Sequence, residues 1–280
     1  MKKRTPVVWF ALFFFAVFLT LPATTAAAHK PLIVDFGAIA PVSKTSRSVS
    51  FTLPVATTRT VRLESADLSA VSSGNRIPAE RFTFTAAHDT AKRNNAAAGY
   101  MLTLQLLPSD PPGEYEGLVY AVCPGAEGTL SIPVLVKVEI LPWIRLEPAN
   151  DNPLLTVAAS SMGTEDHLST RNPVKLLLAS NAPWCLALRI GDETPFHPLP
   201  FPLLVGVGKN LNTMDFKEKI FPGRDYRTVA FGNPTVLGDG ASDAHYWTEL
   251  YITASIDHWS RYPKGNYDFR LFLAAKTLTP

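Results

Sequence analysis

Apolar and polar residues alternate with period two over several short stretches of this chain. They include Val49-Ser50-Phe51-Thr52-Leu53, Val61-Arg62-Leu63-Glu64, Leu102-Thr103-Leu104-Gln105-Leu106 and Val134-Leu135-Val136-Lys137-Val138-Glu139-Ile140. Because successive side chains of a strand point to opposite faces, each stretch predicts a strand with one face buried. The 24 prolines and 16 glycines break these runs at short intervals and leave no room for a long helix. Turn chemistry is plain at Pro111-Pro112-Gly113, Cys123-Pro124-Gly125 and Pro222-Gly223. A single stretch, Asn212 to Ile220, is expected to hold one short helix. The pattern as a whole predicts an all-β fold of packed sheets.

The start of the chain follows a different rule. Lys2, Lys3 and Arg4 precede an apolar run from Val7 to Leu21, and Ala26-Ala27-Ala28 supplies a small-residue cleavage site before His29. A run of about 15 residues is short of the ~20 needed to cross a bilayer. Residues 1–28 therefore read as a signal peptide. No later segment is apolar and long enough to span, so the processed chain is expected not to cross a membrane. Removing the signal also changes the charge: it carries three of the basic residues and no acidic one, which turns a formal +2 into −1. Arg59, Arg62, Arg76 and Arg81 are interspersed with Glu64, Asp67 and Glu80. That mixture predicts a solvated surface, without the basic stripe or stacking platform of a nucleic-acid binder.

The remainder is long enough for two domains of ordinary size, and its features recur in order. Val49–Leu63 lies on Val174–Leu188 without a gap, and Arg76–Phe82 answers His197–Leu203. Tyr100–Leu104 answers Trp247–Ile252, and Pro112–Leu118 answers Lys264–Leu271. The repeat predicts two sandwich domains, 29–141 and 142–280, with a linker near Leu141-Pro142-Trp143.

Val34-Asp35-Phe36-Gly37, followed by Val49–Leu53, resembles the opening strands of bacterial immunoglobulin-like envelope domains. Pro112-Gly113-Glu114-Tyr115-Glu116-Gly117-Leu118-Val119 resembles the late strand of secreted surface and fimbria-like β-sandwich modules. Asn181–Leu188 looks like the tryptophan-bearing strand of some of them. The resemblance implies tandem immunoglobulin-like sandwiches in an envelope setting, with no catalytic residues to carry over. Its physical content is a glycine turn followed by a tyrosine that packs inward with its hydroxyl at a sheet corner. Fimbrial chaperones share export and tandem sandwiches, but their N-terminal arginine and cleft lysine have no counterpart here.

Candidate chemistry is sparse. Cys123 and Cys185 fall in different halves, and export leaves open either a disulfide or two buried free thiols. The six histidines (29, 88, 167, 197, 245 and 258) form no zinc spacing. Asp239-Gly240-Ala241-Ser242-Asp243 lacks the alternating oxygen ligands of a calcium loop. There is no nucleophile elbow, and Gly191-Asp192-Glu193 reads as a hairpin turn. No cofactor, metal or enzymatic activity is expected. The aromatics of the last quarter supply one binding hint: Trp184, Trp247 and Tyr267 read as core, and Trp259 and Tyr262 flank a turn as candidates for an exposed binding platform.

These features predict an exported, non-enzymatic protein of the periplasm or cell surface, acting as an assembly or adhesion module through a protein partner or self-association. A periplasmic chaperone-like protein and a carbohydrate-binding module are the alternatives. One asymmetry sharpens the first reading. The Tyr115–Val122 strand is followed by a full strand, Thr129–Ile140, whereas Tyr267–Ala275 is followed only by Lys276–Pro280. The second domain is expected to lack a final strand. His29–Phe36 of another copy is a candidate donor, and Ile144–Leu146 or Leu154–Val157 are candidates to fill the gap from within.

Overall fold

The structure, a computed structural model, describes residues 30–53, 61–86, 99–124, 129–151, 153–159, 166–191, 200–210, 216–236, 247–263, 265, 267 and 269–278. The expected signal peptide, His29, His88, His197, His245, Asp192-Glu193 and the 239–243 loop lie outside these residues. The fold is all-β, of sheets packed in sandwich fashion, as the period-two pattern requires.

The N-terminal half forms one sheet pair. Strand β1 (Leu32–Ile39), β3 (Arg62–Glu64), β4 (Leu68–Ala70), β5 (Arg76–Ile77), β8 (Gly113–Pro124) and β9 (Thr129–Ile140) make a six-stranded sheet. Its order is β1-β9-β8-β4-β5, with β3 also on β8. Facing it are β2 (Thr45–Thr52), β7 (Gly99–Leu106) and β6 (Phe82–Ala86), in the order β2-β7-β6. Alternate residues from both sheets, among them Leu102, Leu104, Val119, Val134 and Val136, meet in one fully buried cluster.

The C-terminal half forms a second pair with its own cluster. Strands β10 (Ile144–Pro148), β13 (Val174–Ser180), β18 (Thr248–Asp257), β12 (His167–Asn172) and β11 (Thr156–Ala159) line up in that order. Strand β15 (Leu203–Gly208) also pairs β18, and β16 (Phe216–Ile220) pairs β15. The facing sheet is β17 (Arg227–Gly232), β14 (Trp184–Gly191) and β19 (Arg270–Thr277), in the order β17-β14-β19. Leu176, Leu186, Leu188, Val205 and Ile252 are central to this core.

Some ladders of the two halves can be set side by side. Val49 pairs with Leu102 on β2–β7 in the first half, and Val174 pairs with Ile252 on β13–β18 in the second. Leu63 pairs with Ala121, and Leu188 with Leu273.

Two local expectations need correction. Phe216–Ile220 is strand β16, where the sequence suggested part of a helix, because the edge of β15 supplies ladder partners from Leu203↔Ile220 to Val207↔Phe216. Short segments of ambiguous period follow their non-local partners. The joint at Leu141-Pro142-Trp143, where a linker was expected, is packed. Trp143 is buried with Ala179 and Val236 against Trp247. Its N–H donates to Asn181 Oδ1 at 2.8 Å. Asn181 Nδ2 in turn donates to the carbonyls of Asp110 (3.1 Å) and Leu141 (3.4 Å), so one buried side chain ties the two halves together. Cys123 and Cys185 are both buried and free, and burial pushes the Cys123 thiol up.

Candidate functional site

The site begins with a pair of matching tyrosines. Tyr115 donates its hydroxyl to the carbonyl of Pro111 at 2.8 Å, and Tyr267 donates to the carbonyl of Pro263 at 2.8 Å. Each hydroxyl reaches the carbonyl four residues earlier in the chain, and on that match Tyr115 and Tyr267 set a common register for β8 and β19. Gly113, at φ +148, lies between Pro111 and Tyr115 in a backbone region closed to other residues. Counting on from the tyrosines, Val119 corresponds to Leu271, Ala121 to Leu273 and Cys123 to Ala275.

From here the halves diverge. The free side of β8 is covered along its length by antiparallel β9, from Gly113↔Ile140 to Pro124↔Thr129. Val138, Val136, Val134 and Ile132 of β9 stand opposite Tyr115, Gly117, Val119 and Ala121, and all four are buried. Strand β19 pairs with β14 on one side, and among the described residues no strand pairs with its other side. Its outcome is visible in burial: Tyr115, Val119 and Ala121 are buried, whereas Tyr267, Leu271 and Leu273 are only partly so. An apolar groove of about 470 Å³ runs along this edge, walled by Leu146, Leu155, Leu176, Phe269, Leu271 and Leu273 among others.

Neither internal candidate completes the sheet. Ile144–Leu146 belongs to β10 and pairs with β13 on the opposite sheet, and β11 pairs with β12. Both segments border the groove through Leu146, Leu154 and Leu155 without laddering to β19. Of the candidate donor His29–Phe36, the stretch from Leu32 onward is already part of β1 in its own half. It runs parallel to β9, from Leu32↔Val134 to Ile39↔Ile140, with Val34 and Phe36 in the core.

Trp259 and Tyr262 lie near one end of this region, in and after the short turn Trp259–Arg261. They converge on buried Phe201, with ring centroids 5.3 and 5.2 Å from it, and Tyr267 joins at 5.1 Å. The Asp166 carboxylate pins the turn, accepting from the Ser260 backbone N–H at 2.9 Å and the Ser260 hydroxyl at 2.5 Å. The Ser260 hydroxyl, then its N–H, hold that carboxyl below the usual carboxylate range. His258, which precedes the turn at φ 56, faces the same carboxylate at 3.3 Å. Both rings are half-buried, packed edge-on or tilted against neighbours. Trp184 is deep in the core, and Trp247 and Tyr267 are partly buried.

Among the described residues no three His, Cys, Asp or Glu side chains gather, and no helix is long and apolar enough to cross a membrane. The buried Asp110 carboxylate is occupied by Arg81 and the Leu107 N–H. Sequence reasoning anticipated an incomplete second sheet but missed Phe269, Leu271 and Leu273 as the lining. The alternation Tyr267-Phe269-Leu271-Leu273-Ala275 was the signal that could have found them.

No protein-family model and no curated protein matches this chain. Among solved structures it is similar to the CsuC–CsuE chaperone–tip adhesion subunit pre-assembly complex from archaic chaperone-usher Csu pili of Acinetobacter baumannii. That match has 9% identity and TM-score 0.39, covering 88% of this chain and 98% of that chain. It is also similar to a chaperone–tip adhesin complex of CFA/I fimbriae biogenesis, with 10% identity and TM-score 0.31, covering 89% and 97%. At such scores the likeness carries no argument.

Proposed function

We propose that this chain is a non-enzymatic, exported protein of the periplasm or cell surface, made of a signal peptide (1–28) and two sandwich domains (29–141 and 142–280). It works as an assembly or adhesion module: the second domain accepts an extended segment of a protein partner along the open edge of β19. The observation that carries this reading is the contrast between β8, covered by β9, and the equivalent β19, bordered by an apolar groove. An uncovered edge offers backbone hydrogen bonds to any strand that arrives, and the groove offers burial at ~1.5–3 kcal/mol per large apolar side chain. The reading favours a different exported chain as donor over a second copy, because β1 would have to surrender the buried positions of Val34 and Phe36 to act as one. A sugar-binding role for Trp259 and Tyr262 has less support, since their rings are engaged with Phe201 and Tyr267.

Hydrogen exchange on the processed full-length chain tests the proposal. A synthetic peptide with the β9 sequence, Thr129–Ile140, is expected to slow exchange of the 270–277 amides and leave the β9 amides unchanged. Protection of β9 alone, or none at saturating peptide, overturns it. Envelope-recovered protein is expected to begin at or near His29; an intact Met1 terminus in the membrane fraction overturns the export reading.

A further inference from the structure

The outer face of the β17-β14-β19 sheet has a chemistry that the β19 edge does not use. Leu186, Leu188, Leu271 and Leu273 belong to the core or pack on it, so the residues that alternate with them on β14 and β19 face away from it. Register sets these outward residues in cross-strand rows. Arg189 stands opposite Phe272, Ala187 stands opposite Ala274 and Thr228, and Phe231 and Lys276 flank Cys185. Strands β14, β17 and β19 together hold Arg189, Arg227, Arg270 and Lys276 and no Asp or Glu. Other sheets of the molecule offset their exposed cations. Lys137 lies 3.3 Å from Glu116 and Lys175 lies 2.6 Å from Glu249, each across a strand pair, and Arg145 pairs with Glu147.

Arg189 is the centre of the face. Its Cζ lies 3.8 Å from the centroid of the Phe272 ring and 5.4 Å from that of Tyr226. Phe272 in turn occupies the space over Gly191, where an added Cβ would collide with the ring. The glycine makes room for the ring, and the ring holds the guanidinium in place. A guanidinium stacked on aromatic faces keeps its charge and its in-plane N–H donors. Among the described residues no carboxylate pairs with Arg189. Along the strands the face from Arg270 to Lys276 runs about 20 Å, and across three strands about 10 Å. Its floor is small-residue surface at Ala187, Ala274 and Thr228, between the Arg189 stack and Phe231, which is 63% exposed. Phe231 also walls a cavity of about 660 Å³ together with Trp247, Asn233 and Thr235.

We infer that this face binds an acidic polysaccharide: carboxylates of its sugar units meet Arg189, Arg270 and Lys276, and a sugar ring lies on Phe231. A guanidinium receives a carboxylate through two parallel N–H bonds, and an exposed aromatic ring covers the apolar face of a sugar. An anionic bilayer fits less well. Phe272 is held between Gly191 and Arg189, which leaves Phe231 as the ring free to insert, and interfacial anchoring scales with buried apolar area. The inference is independent of strand acceptance at the β19 edge.

Calorimetric titration of the processed full-length chain with a short oligogalacturonate tests it, against the carboxyl-reduced, neutral form of the same oligosaccharide. Binding of the acid form is expected to weaken as salt rises, and the neutral form to bind at least about tenfold more weakly. Arg189→Gln is expected to weaken binding about tenfold. Arg189→Lys should stay well below the parent, because an ammonium lacks the planar fork. Lys137→Gln, on the paired face of the first half, should leave binding unchanged. Amide shifts of the unaltered chain should gather at 187–189, 228–231 and 272–276, a readout that stands even if a variant misfolds. Arg189→Gln should also leave the protection of β19 by the Thr129–Ile140 peptide intact, which keeps failure here apart from failure at the edge. No binding, equal affinity for the neutral oligosaccharide, or shifts gathered around Lys137 and Glu116 overturns the inference. Binding to phosphatidylglycerol vesicles without binding to the oligosaccharide overturns it in favour of a membrane surface. Polyglutamate binding as tightly as the oligogalacturonate overturns it in favour of an acidic protein.

Discussion

Strands β8 and β19 share a tyrosine hydroxyl bond to the carbonyl four residues back and an inward row of side chains, yet among the described residues one is central and the other is an edge. The difference lies in one neighbour. Strand β9 covers β8 and drives Val119 and Ala121 out of solvent, while Leu271 and Leu273 keep partial access to it. The comparison teaches that an inward-facing apolar row is satisfied by its lateral neighbour as much as by the sheet across the core. Where no neighbour is present, a row of this kind keeps partial access to solvent.

The largest effect is expected from placing a charge on each side of the comparison. Val134→Asp buries an unpaired carboxylate at a position with no solvent access, where the penalty is several kcal/mol. Urea unfolding should show the first half disordered or its transition shifted far down. Leu271→Asp, on the open edge, should lower stability by about 1 kcal/mol or less and abolish binding of strand peptides. Equal destabilisation by the two substitutions would mean that β19 is covered in solution.

An intermediate effect is expected at the joint between the regions. Asn181→Ala removes the partners of the Trp143 N–H and of the Asp110 and Leu141 carbonyls, at a combined cost of about 2–3 kcal/mol. Calorimetry of the variant should resolve two transitions, and protease should gain a cut near residues 141–143. A variant as resistant and as cooperative as the parent would show that the halves are coupled elsewhere.

The smallest effect separates the twin tyrosines. Tyr115→Phe leaves the Pro111 carbonyl without its donor beside a buried ring and should cost about 1 kcal/mol, whereas Tyr267→Phe, at an exposed bond, should cost less than half of that. The Tyr115 pKa is pushed up to about 12, first by burial and then by the Asp110 carboxylate. A raised pKa means that the folded state holds this proton more tightly than the unfolded chain does. Its contribution is therefore complete below the ordinary value near 10 and is lost as pH climbs from there toward 12. The stability gap between the parent and Tyr115→Phe should narrow between pH 9 and pH 11.5, measured by urea midpoints. A gap that widens over that range would contradict the assignment.

Strand positions and the tyrosine motif at Tyr115 were legible in the sequence, because each depends on period-two alternation or on local φ preference. The shortage of a strand beside β19 was legible too, once the halves were aligned from Tyr115 and Tyr267. What the tertiary structure decided was partnership. It turned Phe216–Ile220 into a strand through β15, and it joined Leu32–Ile39 to β9 of the same half. It also buried Trp143 beside Asn181 at the place where a linker was expected, and it gathered Trp259 and Tyr262 around Phe201 from a segment 58 residues earlier than the first of them. Local pattern sets which face of a strand is apolar. Which neighbour covers that face, or leaves it open, is set by contacts between residues far apart in the chain, and no local period encodes them.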